Sequence, residues 1–149
     1  MALLKMDHVS VVVEDLQAAI DFFAALGLEV VGQAPVEGEW VDRINGIEGI
    51  KVDIVMMATP DGQGKLELTK FHSPQLVDLQ PSIAPPNALG LRSVMFEVEN
   101  VDETVATLTA KGGALMGEVV NYESYYRLCY MRGPAGIIVS LAESLSGPG

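Results

Sequence analysis

The feature that most constrains this sequence is that it repeats itself. Shifting the numbering by 85 carries Val9, Val11 and Val13 onto Val94, Phe96 and Val98. The same shift carries Glu14-Asp15-Leu16 onto Glu99-Asn100-Val101, Ile20 and Phe23 onto Val105 and Leu108, and Gly27 onto Gly112. Each copy opens with residues of high β-propensity, which read as a strand. A helix N-cap follows, Asp15 or Asn100, and then apolar residues at helical spacing. Asn100 and Glu103 have the capping-box spacing. Gly27 suits the left-handed residue that ends a helix.

Three strand-like runs follow each helix: residues 28–36, 50–58 and 65–71 in the first half, 115–120, 126–132 and 137–142 in the second. Turn chemistry at Pro60-Asp61-Gly62-Gln63-Gly64 and Gly133-Pro134-Ala135-Gly136 separates the last two runs of each half. The expected class is therefore α+β, two βαβββ modules covering about 5–71 and 90–143. Residues 72–89, which hold four of the eight prolines, form the expected linker. At 149 residues the chain has the length of one domain able to bury its own core. The segment Glu37-Gly38-Glu39-Trp40-Val41-Asp42-Arg43 has no counterpart in the second half. It reads as a loop. Either it covers a pocket, making Trp40 and Arg43 ligand contacts, or it is a surface loop with Trp40 at a subunit contact.

Twenty acidic residues against nine basic ones give a formal charge of −11, a field that disfavours nucleic acid and anionic membranes. No apolar run approaches the length of a membrane helix, and Met1-Ala2-Leu3-Leu4-Lys5 does not open a signal peptide. The single Cys129 has no internal disulfide partner, which fits a reducing, cytoplasmic setting. Its core-like surroundings make it a buried, inert thiol rather than a nucleophile.

The order strand-helix-three strands, twice, opening on Asp7-His8-Val9 and closing on Gly136-Ile137-Ile138-Val139-Ser140-Leu141, resembles the vicinal-oxygen-chelate superfamily. That group includes glyoxalase I, methylmalonyl-CoA epimerase, extradiol dioxygenases, and the fosfomycin and bleomycin resistance proteins. The resemblance spans residues 5 to 143. It implies two half-barrels forming an open cup around a small molecule, in a homodimer. It also implies a divalent metal (Zn, Ni, Mn or Fe), held by a His on the first strand and a Glu on the fourth strand of each module. The first half keeps both, as His8 and Glu67. The second has Ser93 and Ser140 in their places, and a neutral hydroxyl binds divalent metals weakly.

Three roles for His8 and Glu67 stay open. They hold a metal that polarises vicinal oxygens in a lyase or isomerase. They contact a ligand without metal, His8 as general base and Glu67 fixing its tautomer. Or they are a structural pair. A drug- or metabolite-binding protein without catalysis is the alternative to an enzyme. The other histidine, His72, lies an odd number of residues from Glu67 and so faces away from it. The stretch Tyr122 to Arg132 supplies further ligand-binding candidates, Tyr126 and Arg127, which alternate onto opposite faces of one strand. Arg127 on an inward face would anchor a carboxylate or phosphate.

Overall fold

The alternation of Val9, Val11 and Val13 produces β1 (Val9–Val12), shorter than the run that suggests it. The structure, a computed structural model, describes residues 2–146. Met1, part of the N-terminal reading above, and residues 147–149 lie outside the described residues. Backbone contacts divide the chain into two compact units, one ending at Val77 and the other starting at Asp78.

In the first unit, β1 is followed by α1 (Leu16–Leu26), β2 (Glu29–Glu37), α2 (Glu39–Asn45), β3 (Lys51–Ala58) and β4 (Lys65–Ser73). Asp15 caps α1, its side chain accepting from the Ala18 N–H at 3.0 Å. Gly27 ends the helix at φ 123, where a side chain would be strained. Asp15→Ala should cost about 1 kcal/mol, measured as a shift in urea midpoint with unchanged slope. The strands form one mixed sheet in the order β1-β4-β3-β2. Only β1 and β4 run parallel, pairing Ser10 with Glu67 and Val12 with Thr69.

One face of this sheet carries Val13, Val55, Met57, Leu66 and Leu68, all buried, and α1 covers it with Ala19, Phe22 and Phe23. Phe22 and Phe23 meet edge to face, ring centres 5.2 Å apart. The segment containing Trp40 is a helix, not the loop expected from sequence. Gly46 closes α2 in a left-handed conformation, its N–H on the Asp42 carbonyl. The Asp42 carboxylate accepts from Gly49 and Ile50 N–H at 2.9 Å each, tying the helix to the start of β3. Val41 of α2 packs with Ile50 and Val52, and Val36, Ile54 and Phe71 join them. That cluster lies at one end of the sheet face opposite α1.

The second unit repeats the plan with β5 (Ser93–Glu97), α3 (Val101–Thr109), β6 (Ala114–Leu115), β7 (Val120–Tyr122), β8 (Tyr126–Arg132) and β9 (Ile138–Ser144). The order is β5-β9-β8-β6, with β7 also on β8. The expected strand over 115–120 is broken in two at a bend containing Gly117, although Met116 N–H still reaches the Tyr130 carbonyl at 2.9 Å. Asn100 accepts from Glu103 N–H at 3.0 Å, as the capping pattern requires. Two mixed sheets with three helices make this an α+β fold, as expected. Residues 74–92 contain no helix or strand. Among the described residues no helix is long and apolar enough to cross a membrane.

The internal repeat extends to one backbone hydrogen bond after each first strand. Val13 N–H donates to Thr69 O at 2.9 Å, and its counterpart Val98 N–H donates to Ala142 O at 2.8 Å. Cys129 is 4% exposed on β8. Burial, reinforced by nearby Asp102, raises its thiol pKa against a smaller opposing pull from Arg127. A thiol-specific reagent should leave Cys129 intact in the folded protein and modify it promptly in denaturant. Equal rates in both states would contradict its burial.

Candidate functional site

Strand alternation puts Ser10 and Val12 of β1 on the face of the first sheet opposite α1. Through the sheet register the same face carries Glu67 and Thr69 of β4 and Met56 and Ile54 of β3. His8 lies one residue ahead of β1 rather than within it, and continues the same alternation. The result is a small polar cluster set among apolar side chains.

The His8 ring stands between two carboxylates. Its Nδ1 is 2.7 Å from Asp7 Oδ2, and its Nε2 is 3.4 Å from Glu67 Oε2. The hydrogen bond from His8, then the charge of Lys65, hold Asp7 below its ordinary carboxylate pKa. Asp7 is thus ionised at neutral pH and can only accept, so Nδ1 carries the proton. The tautomer-fixing role that sequence reading gave to Glu67 belongs to Asp7. The Nε2 side of the ring then faces Glu67. Glu67 is held from its other oxygen: Oε1 accepts from Ser10 Oγ at 3.0 Å and from Thr69 Oγ1 at 3.2 Å. Oε2 is left for His8 and for whatever lies beside it.

This arrangement bears on the metal implied by resemblance. A separation of 3.4 Å is longer than a good N–H···O bond. Two metal bonds of about 2.0–2.2 Å meeting near the tetrahedral angle span about that distance. A carboxylate on the remote nitrogen of a ligating His is the usual outer-shell partner. His8 and Glu67 therefore fit a divalent ion as half of its coordination shell. Among the described residues no group of three or more His, Cys, Asp or Glu completes it.

The remaining candidates are placed as follows. Trp40 is 59% exposed and Arg43 is exposed, both on α2, while Val41 between them is buried. His72 is engaged elsewhere, with Nε2 2.7 Å from Asp53 Oδ2, and does not join the His8–Glu67 cluster, as alternation from Glu67 predicts. In the second unit, Ser10 and Met95 correspond under the repeat. Ser10 pairs with Glu67 and Met95 with Ser140, so Ser140 occupies the register place of Glu67. Ser140 is 1% exposed and its Oγ lacks a hydrogen-bond partner among the described residues. Ser93 is exposed on the same face of β5 as Met95.

The structure resolves the two faces of β8. Arg127, Cys129 and Met131 share the α3 side, whereas Tyr126 and Tyr130 are exposed on the Ser140 side. Arg127 makes a two-pronged contact with Asp102 of α3, both bonds 3.0 Å, and a third bond to Asn121 at 2.9 Å. Its guanidinium is committed within its own unit rather than presented as an anion anchor. Sequence reasoning missed Asp7, Ser10 and Thr69. The available signal was their spacing: Ser10 is two residues from His8 and Thr69 two from Glu67, which shares a face in any strand.

The family model for the Glyoxalase/Bleomycin resistance protein/Dioxygenase superfamily matches residues 5–141. A solved glyoxalase family protein from Bacillus cereus is 51% identical, with TM-score 0.93 and 97% of each chain covered. An antibiotic binding protein from a Streptomyces species is 22% identical, with TM-score 0.60, covering 97% of this chain and 98% of that one. A glyoxalase I mutant from Zea mays is 17% identical, with TM-score 0.68, covering 93% of this chain and 45% of that one. No curated protein sequence gives a match. The last two structures share the fold alone.

Proposed function

The chain belongs to the Glyoxalase/Bleomycin resistance protein/Dioxygenase superfamily, and we propose that it binds a small molecule with vicinal oxygens over the open face of its first sheet, acting as a lyase or isomerase with a divalent ion on His8 and Glu67. The observation that carries this is the line of Asp7, His8 and Glu67, with an oriented imidazole nitrogen facing a carboxylate oxygen at 3.4 Å. The ion, when bound, supplies Lewis acidity toward the substrate oxygens. Asp7 keeps the proton on Nδ1 and so keeps Nε2 available. Ser10 and Thr69 fix Glu67 through Oε1, so Oε2 is the oxygen free to hold the ion or accept a proton. Met56 and Ile54 offer apolar surface that shields the reacting part of the ligand from water.

Because the protein supplies two strong donors, the ligand's own oxygens complete the shell. Ion affinity should therefore rise when such a ligand is present. The test is equilibrium dialysis of chelator-free protein against Zn, Ni, Mn and Fe, with a 2-hydroxyacid present or absent, read by elemental mass spectrometry. Uptake of one ion per chain, tightened by the acid, is expected. No uptake in either arm would sink the metal reading.

A second reading is favoured by Ser140, a neutral hydroxyl in the register place of Glu67. In it the chain is a drug- or metabolite-binding protein without catalysis or metal, as the fold relative from Streptomyces binds an antibiotic. Exposed Trp40 is the only tryptophan, so its emission reports ligand binding near α2 directly. Emission changes that persist unchanged in chelator would favour this reading. The proposal as a whole takes the chain to be a homodimer in the cytoplasm.

A further inference from the structure

A cavity of about 180 Å³ lies wholly within the second unit. Residues around Pro81 and Ala84, the start of β5 and the turn before β9 form its walls. Arg92 and Arg132, two of the four arginines in a chain of charge −11, both line it. No acidic residue is among its lining residues, and neither guanidinium has an ion-pair partner among the described residues. Arg132 is held by neutral groups only, donating to Gly136 O at 2.9 Å and Ala84 O at 2.6 Å. Arg92 Nε is buried with no hydrogen-bond partner among the described residues.

Two partly buried positive charges without a counter-charge are costly, and a buried unpaired donor adds to that cost. The fork of a guanidinium matches the paired oxygens of a carboxylate or phosphate. The Arg132 fork is fixed by two backbone carbonyls before any ligand arrives, and that preorganisation lowers the cost of binding. Ser82 and Ser93 add hydroxyls at the wall. The volume lies below the roughly 300 Å³ at which drug-sized pockets begin, so the occupant is small.

We propose that this cavity is a binding site for a small oxyanion, a carboxylate or phosphate group gripped between Arg92 and Arg132. It does not depend on the function proposed for the His8–Glu67 cluster.

The test uses the full chain in buffer free of both anions, at constant ionic strength set with chloride. Inorganic phosphate and acetate are titrated separately by calorimetry, and thermal unfolding is followed in parallel. Saturable binding of at least one anion is expected. Arg92→Gln should weaken it at least tenfold, and Arg92→Lys should recover part of the loss. A phosphate response without an acetate response assigns the site to phosphate groups, and the reverse assigns it to carboxylates. Arg132→Ala removes the two carbonyl contacts, so folding is checked by circular dichroism and Arg92→Gln is the deciding variant. Absence of saturable binding by both anions, or unchanged affinity in a folded Arg92→Gln protein, would overturn the proposal.

Discussion

Glu67→Ala and His8→Ala should each abolish divalent-ion uptake at concentrations that saturate the parent protein. Each substitution leaves one protein donor where two stood, and the hydroxyls of Ser10 and Thr69 cannot replace a carboxylate. Asp7→Asn should be graded rather than absolute. It keeps a hydrogen-bond partner near Nδ1 but removes the charge that fixes the tautomer, so affinity should fall about 10–100-fold. The ordering, with both ligands worse than Asp7, is the informative result, read by competition against a chromogenic chelator. Equal retention of metal in His8→Ala and the parent would assign any bound ion to another place. The effect of acid has a definite sign. Asp7 has a lowered pKa, so its hold on His8 is complete above its ordinary value of 3.8 and is lost as pH falls through the depressed folded value.

The largest stability effect is expected at Phe23. It is 0% exposed at the centre of the α1 face, and its counterpart in the second unit, Leu108, is also 0% exposed. Phe23→Ala should cost about 3–5 kcal/mol and Leu108→Ala about 2–5 kcal/mol, because each removes buried carbon and leaves a cavity that the sheet above cannot fully close. Against a total stability of about 5–15 kcal/mol either loss is severe. Midpoints of urea unfolding should fall with little change of slope, and Phe23→Ala should lower the melting temperature on the order of 10 °C. Loss of less than about 1 kcal/mol at Phe23 would contradict the packing of α1 on its sheet.

The fold was legible because its signals are local and doubled. Asp15, Gly27 and Asn100 act on their own neighbours, and the shift of 85 supplied a second copy against which to check each element. The α2 helix was not legible. Its seven residues are too few for a periodic pattern, and the contacts that stabilise it run from Val41 to Ile50 and Val52 and from Asp42 to two distant N–H groups. The break between β6 and β7 depends on a bend at a single glycine inside an otherwise apolar run. For the site, the meeting of His8 and Glu67 followed from the family resemblance. Asp7 beside His8 and Thr69 two residues from Glu67 join it through neighbours in sequence, whereas Ser10 meets Glu67 through the parallel register of β1 on β4, which no local pattern specifies. The commitment of Arg127 to Asp102 was equally invisible, since it links a strand residue to a helix 25 positions earlier.

The parallel pairing of β1 with β4 also sets when the His8–Glu67 cluster can exist. Ser10 and Glu67 lie 57 residues apart, and parallel strands cannot be joined by a tight turn. Closing such a span pays its loop entropy before contacts repay it, and long-range pairings are formed slowly. While β4 is still being synthesised the chain cannot bring Glu67 to His8, and β1 and α1 lack the strand they pack against. Ligand competence therefore marks the completion of the first unit, and a fragment ending before β4 would lack Glu67 and be chemically silent.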